Sequence, residues 1–150
     1  MSQAGQMMNE WLQHRHILEE LLESIGDEHM DFKPHDDAMS LSELALHVAG
    51  WNDAFVSMVK TETLAKPDFP ECVTMADVRQ AVKNFTAKTK AAYESITDAE
   101  LEAQNSSSHP KLQGPKRNYL SAMHDHEIHH KGQLFIYARM VGVKEVPFFR

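Results

Sequence analysis

Met123-His124-Asp125-His126-Glu127-Ile128-His129-His130-Lys131-Gly132-Gln133-Leu134-Phe135-Ile136-Tyr137 is the stretch that decides the fold. An α-helix turns about 100° per residue, which places His126, Glu127, His130, Leu134, Tyr137 and Val141 within about 60° of Met123. His126 and His130 therefore lie in one apolar stripe, a turn apart. His124 and His129 fall on opposite flanks of it. The helical pattern runs from about Lys116 to Val141 and stops at Gly142, a residue suited to a left-handed cap, with Pro147 shortly beyond.

The rest of the chain repeats the helical period. Met8, Trp11, Leu18, Leu22 and Ile25 form a stripe over residues 7–25, with Arg15 filling its one gap. Ser40 and Glu43 fit a capping box, so a second helix begins near Leu41; Leu44, Val48, Trp51, Phe55, Met58 and Val59 share its face until about Thr61. Pro67 and Pro70 forbid its continuation. Thr74 and Asp77 open a third helix, whose stripe is Val78, Val82, Phe85, Ala92, Tyr93 and Ile96. Thr97 and Glu100 mark a short helix or turn, and 106–110 with 114–115 read as a loop. The tail carries Val146, Phe148 and Phe149, too apolar to stay free in water, and is expected to pack on the bundle or on a partner subunit.

Nothing strand-like competes. Four amphipathic helices joined by long connections give an all-α four-helix bundle, a single domain over residues 1–150, with room for an overhand crossover between parallel helices.

The same composition narrows function. Of 150 residues, 15 are Lys or Arg and 22 Asp or Glu, a formal net charge of −7. That balance argues against a nucleic-acid partner, which needs a concentrated basic face. No stretch approaches the roughly 20 apolar residues of a membrane span. Residues 1–5 lack the basic and apolar segments of a signal peptide, so a cytoplasmic address is expected. Cys72 is the single cysteine, in the Pro-rich connection with no histidine at a diagnostic distance, so a bound metal must be held by nitrogen and oxygen.

Ten histidines are the unusual entry. With Leu44 as origin, His47 falls about 60° from it, in the stripe of the second helix. His47, His126 and His130 thus converge from two helices on one core. Several unpartnered imidazoles there cost about 1–3 kcal/mol per unsatisfied group, whereas a divalent cation bound by all three removes that cost and leaves a fourth position open. His129 is a weaker candidate for the site; His124 is a border residue. His14, His16, His29, His35 and His109 carry no specific signal.

Arg15 has two readings. Its methylenes cover core atoms while its head reaches water, or it is a cation near the metal, paired with an anionic ligand or with Glu19 or Glu127. Asp125 and Glu127 flank His126, either to orient imidazoles through their free N–H groups or as a solvated helix edge, the reading that suits Asp125 better. Arg15, Glu127 and His129 are accordingly the candidates for a catalytic role. Trp51 and Tyr137 share the faces of the ligands, as pocket wall or core.

Trp11 with His14-Arg15, Leu44-Ala45-Leu46-His47-Val48, and His126 through Leu134 together resemble the DinB/YfiT-like superfamily of metal-binding four-helix bundles. The resemblance extends to the ending from Gly142 to Pro147, and departs at Lys131, where the family more often has Arg. It implies the same trio of ligands, an up-down-down-up bundle, a homodimer, and nickel or zinc. It also implies thiol S-transferase activity, in which bacillithiol, mycothiol or glutathione is added to an electrophile, with Arg15 or Lys131 anchoring an anionic cosubstrate. The expected function is such a transferase or a hydrolase using metal-bound water; the alternative is a non-catalytic, metal-binding stress-response dimer.

Overall fold

Three capping boxes start three of the helices. The side chains of Ser40, Thr74 and Thr97 accept from the N–H groups of Glu43, Asp77 and Glu100, whose carboxylates accept in return. In a computed structural model that describes residues 1–150, the elements are α1 (Gln3–Glu23), a 3-10 turn (Asp27–His29), α2 (Leu41–Thr61), α3 (Met75–Glu94), α4 (Asp98–Glu102) and α5 (Arg117–Met140). α1 begins four residues earlier than its apolar stripe indicates. Ser2 caps it through Gly5 N–H, and the orphan N–H groups of Gln3 and Ala4 donate to Asp98 Oδ1 at 3.0 and 3.4 Å. At the other end of the chain Gly142 sits at φ +99°, the left-handed conformation its position after α5 requires.

Side-chain contacts give the helix directions. Arg117 bonds Gln3, Glu127 bonds Trp11, and Lys131 meets His14, so α1 and α5 run the same way. Thr86 bonds Arg15 and Arg79 bonds the carbonyl of Leu22, so α3 opposes α1. Asp53 pairs with Thr89 and Lys60 with the Ser95 carbonyl, which makes α2 parallel to α3. The order is up, down, down, up, and the connection from α2 to α3 runs back along the length of the bundle, with Pro67 and Phe69 lying against Gly50 of α2.

The core divides into two apolar halves. One contains Leu18, Leu22, Leu44, Val48, Val82, Leu134 and Tyr137; the other contains Trp11, Val56, Val59, Tyr93, Leu120 and Met123. Between them lies a buried polar layer drawn from all four long helices: Arg15 of α1, Asn52 of α2, Thr86 of α3 and Glu127 of α5. No helix is long and apolar enough to cross a membrane.

Of the two readings of Arg15, the pair with Glu127 holds: its guanidinium is fully buried against that carboxylate and does not reach water. The tail does return to the bundle, where Val146 packs on the core and the Phe149 carbonyl accepts from Lys131, yet the rings of Phe148 and Phe149 remain 70% and 60% exposed.

Glu62 closes the far end of α2, in left-handed backbone at φ 58°. Burial opposes its ionisation, but hydrogen bonds from Ser106 and Tyr119 and the charge of Lys116 hold its pKa down to about 2. A carboxyl whose folded pKa lies below its unfolded value of about 4.3 stabilises the fold above that pH and loses this contribution on acidification. The wild type is therefore expected to lose its advantage over Glu62→Gln as pH falls from about 4.3 to about 2. Urea unfolding across that range measures it, and a gap independent of pH rejects the assignment.

Candidate metal centre

Helix α2 buries a wider face than the apolar wheel shows. Ala45, Ala49, Asn52 and Asp53 are buried, while Trp51 and Phe55 are only half-buried. Small side chains carry little weight on a hydrophobic wheel, yet they let α3 and α5 approach α2 from two sides. His47 consequently sits at the α2–α5 seam instead of the centre of the core. His126 is half-buried and His130 buried beside it.

The seam brings together the three imidazoles that the wheels select. One nitrogen from each of His47, His126 and His130 lies within 4.8 Å of the others, and no fourth His, Cys, Asp or Glu joins the group. The ring centroids are 5.0 Å apart for His47–His126, 4.8 Å for His47–His130 and 4.5 Å for His126–His130. His47 Nε2 faces His126 Nε2 at 3.1 Å. Two bare nitrogens at that distance repel; a proton on one, or a cation held by both, relieves them. Nitrogens bound to one tetrahedral zinc ion at about 2.0–2.1 Å stand about 3.3–3.4 Å apart; the His47–His126 pair is already near that spacing, and the three nitrogens, within 4.8 Å of one another, can close on a divalent metal.

Electrostatics favour the neutral rings that a metal needs. Burial lowers the pKa of all three histidines. In His126 burial acts together with repulsion from His130 and His47 to push it down to about 4. The Nδ1 atoms of two rings are held from behind: His126 Nδ1 lies 2.8 Å from Asn52 Oδ1, and His130 Nδ1 lies 2.7 Å from Gln133 Oε1.

Glu127 does not touch an imidazole, contrary to the role expected of it. Its carboxylate accepts from Arg15 Nε at 2.9 Å, Arg15 Nη2 at 2.7 Å, Trp11 Nε1 at 3.1 Å and Asn52 Nδ2 at 2.8 Å. Burial works against its charge, but the Arg15 guanidinium and these bonds hold its pKa below the ordinary value. Arg15 is spent on this pair and on Thr86, with no surface left for a cosubstrate. His129 and Asp125 are exposed, and the His129 ring only lies tilted against that of His130, with centroids 4.7 Å apart. The Cys72 thiol is raised by burial and by Asp77, away from thiolate character.

Sequence reasoning passed over Asn52 and Gln133, the partners that hold the rings, and His14. The last is buried, 2.7 Å from Lys131 Nζ and edge-to-face with His124. His14, Lys131, Ile128 and Phe149 line a cavity of about 550 Å³ that includes none of the three seam histidines. A smaller pocket of about 300 Å³ does adjoin the seam: His47 shares it with Met39, Leu46, Trp51 and Phe69. Gly50 makes room for the Phe69 ring that walls it, since a Cβ there would stand 2.4 Å from that ring.

Known proteins share this fold over the whole chain. A crystal structure of a DinB-like protein, YjoA of Bacillus subtilis, superposes with a TM-score of 0.85 at 31% identity, covering 97% of this chain and 98% of that one. In sequence, the uncharacterized protein YjoA of Bacillus subtilis strain 168 is 33% identical over 153 residues, 100% of this chain and 98% of its own. A DinB-like protein from Bacillus cereus shares the fold, with a TM-score of 0.76 at 18% identity over 95% of this chain and 94% of that one. The model of the DinB family matches residues 1–149, and the chain belongs to that family.

Proposed function

We propose that His47, His126 and His130 bind one divalent metal ion, nickel or zinc, and that the site transfers a low-molecular-weight thiol to an electrophile. The observation that supports this reading is the pairing of a three-imidazole donor set with an apolar pocket that shares His47 as its wall. A cation on three neutral imidazoles keeps its full charge and would lower the pKa of a thiol or a water beside it.

The protein's own contribution is placement. Met39, Leu46, Trp51 and Phe69 offer an apolar surface to the electrophile and exclude water from it. The thiol loses its proton to solvent, and its sulfur lone pair forms the carbon–sulfur bond as the leaving group departs with its electrons. Hydrolysis by an activated water uses the same site without a thiol. We also propose a homodimer, supported by Ile128, Ile136, Met140, Phe148 and Phe149, large apolar side chains left exposed on α5 and the tail.

Conjugation of a chromogenic electrophile by bacillithiol, mycothiol or glutathione, with nickel or zinc present or removed by chelator, tests the transferase. Metal-dependent product with one thiol is the expected result. Metal-dependent turnover without thiol assigns hydrolysis instead. Tight metal binding without turnover of either kind selects the non-catalytic dimer, whose size sedimentation reads in the same preparation.

A further inference from the structure

Glu127 is an obligate acceptor. Indole and guanidinium nitrogens only donate, and Trp11 and Arg15 place three such donors on its two oxygens, with Asn52 adding a fourth bond. An asparagine amide has one donating and one accepting end. Turning Asn52 over would set its Oδ1 against Glu127 Oε1 at 2.8 Å, two acceptors in a fully buried position. Its Nδ2 must therefore face Glu127, which leaves Oδ1 facing His126 Nδ1 at 2.8 Å.

That orientation decides a proton. Oδ1 only accepts, so His126 Nδ1 carries the hydrogen, and a neutral imidazole has just one. His126 Nε2, the atom turned toward His47, is left bare. We infer that Asn52 is a positioning residue that fixes His126 in its Nδ1–H tautomer, presenting Nε2 as a lone pair to the candidate metal site. The ordering passes from Trp11 and Arg15 on α1, through Glu127 on α5 and Asn52 on α2, back to His126 on α5. His130 differs: Gln133 meets its Nδ1, but the Gln133 amide has no second partner to decide which way it turns.

The use of this lone pair by a metal rests on the function proposed above; the tautomer does not. The test is a long-range proton–nitrogen correlation on labelled protein stripped of metal by chelator. It is run at about pH 8, above the ordinary imidazole pKa of about 6.5, with His126 assigned by its absence in His126→Gln. The wild type is expected to show His126 as the Nδ1–H tautomer alone. In Asn52→Leu the ring is expected to populate both tautomers, with helicity retained by circular dichroism and nickel affinity lowered about 10–100-fold, as for loss of other partners of metal-bound histidines. A wild-type His126 in the Nε2–H form, or evenly mixed, overturns the inference without recourse to any variant. An Asn52→Leu protein with unchanged tautomer and affinity overturns it too, reducing Asn52 to a filler of buried bonds. The tautomer is read without metal, so it stands or falls apart from whether nickel or zinc binds.

Discussion

Urea unfolding of Glu127→Leu is expected to show a loss of about 3–5 kcal/mol, the range for removing one partner of a buried ion pair. Arg15 would keep a charge with no exposed surface and no counterion, since its other side-chain partners are the Thr86 hydroxyl and the face of the Trp11 ring, 4.9 Å away. Trp11 and Asn52 would each lose an acceptor as well. For a domain stable by about 5–15 kcal/mol, such a loss is a large fraction of the whole. The double variant Arg15→Met/Glu127→Met is expected to recover most of it, because no charge is left uncompensated. A loss below about 1 kcal/mol in the single variant would place the pair among exposed ones and contradict its burial.

His126→Ala is expected to weaken nickel and zinc binding by more than about 100-fold, beyond the upper end for loss of an outer partner. It removes one of three donors and exposes the remaining two to water through the space the ring filled. His129→Ala is the matched control: its ring is exposed at the flank, and affinity is expected to stay within about twofold, inside the effect of an ordinary surface change. Competition with a chromophoric chelator measures both. If the two variants bind metal equally well, the seam is not the metal site.

Much of this was legible in the sequence because it depends on spacing along one helix. Ser40–Glu43, Thr74–Asp77 and Thr97–Glu100 are local devices, and each starts a helix. The i, i+4 histidines on α5 and His47 on α2 followed from angular position alone. What spacing could not show is which polar residue meets which across helices. Asn52 stands at the border of its wheel and becomes meaningful only when α5 sets Glu127 and His126 on either side of it. For Arg15, spacing leaves a head reaching water and a pair with Glu19 or Glu127 both open, and only the approach of α5 selects Glu127. His14 has no helical spacing signal of its own, and its neighbours Lys131 and His124 come to it from α5.

The polar layer between the two apolar halves sets the longitudinal register of the bundle. Leucines and valines slid past one another by a turn, about 5.4 Å, find other leucines and valines. Arg15, Glu127 and Asn52 find nothing equivalent, and a slip would leave each with unmet bonds in a dry interior. Buried ionic layers add little net stability over apolar ones; here the layer penalises misalignment. His47 precedes Asn52 by little more than a turn on α2, and His126 adjoins Glu127 on α5. The alignment that satisfies the ion pair is therefore the one that brings the three imidazoles to the same height.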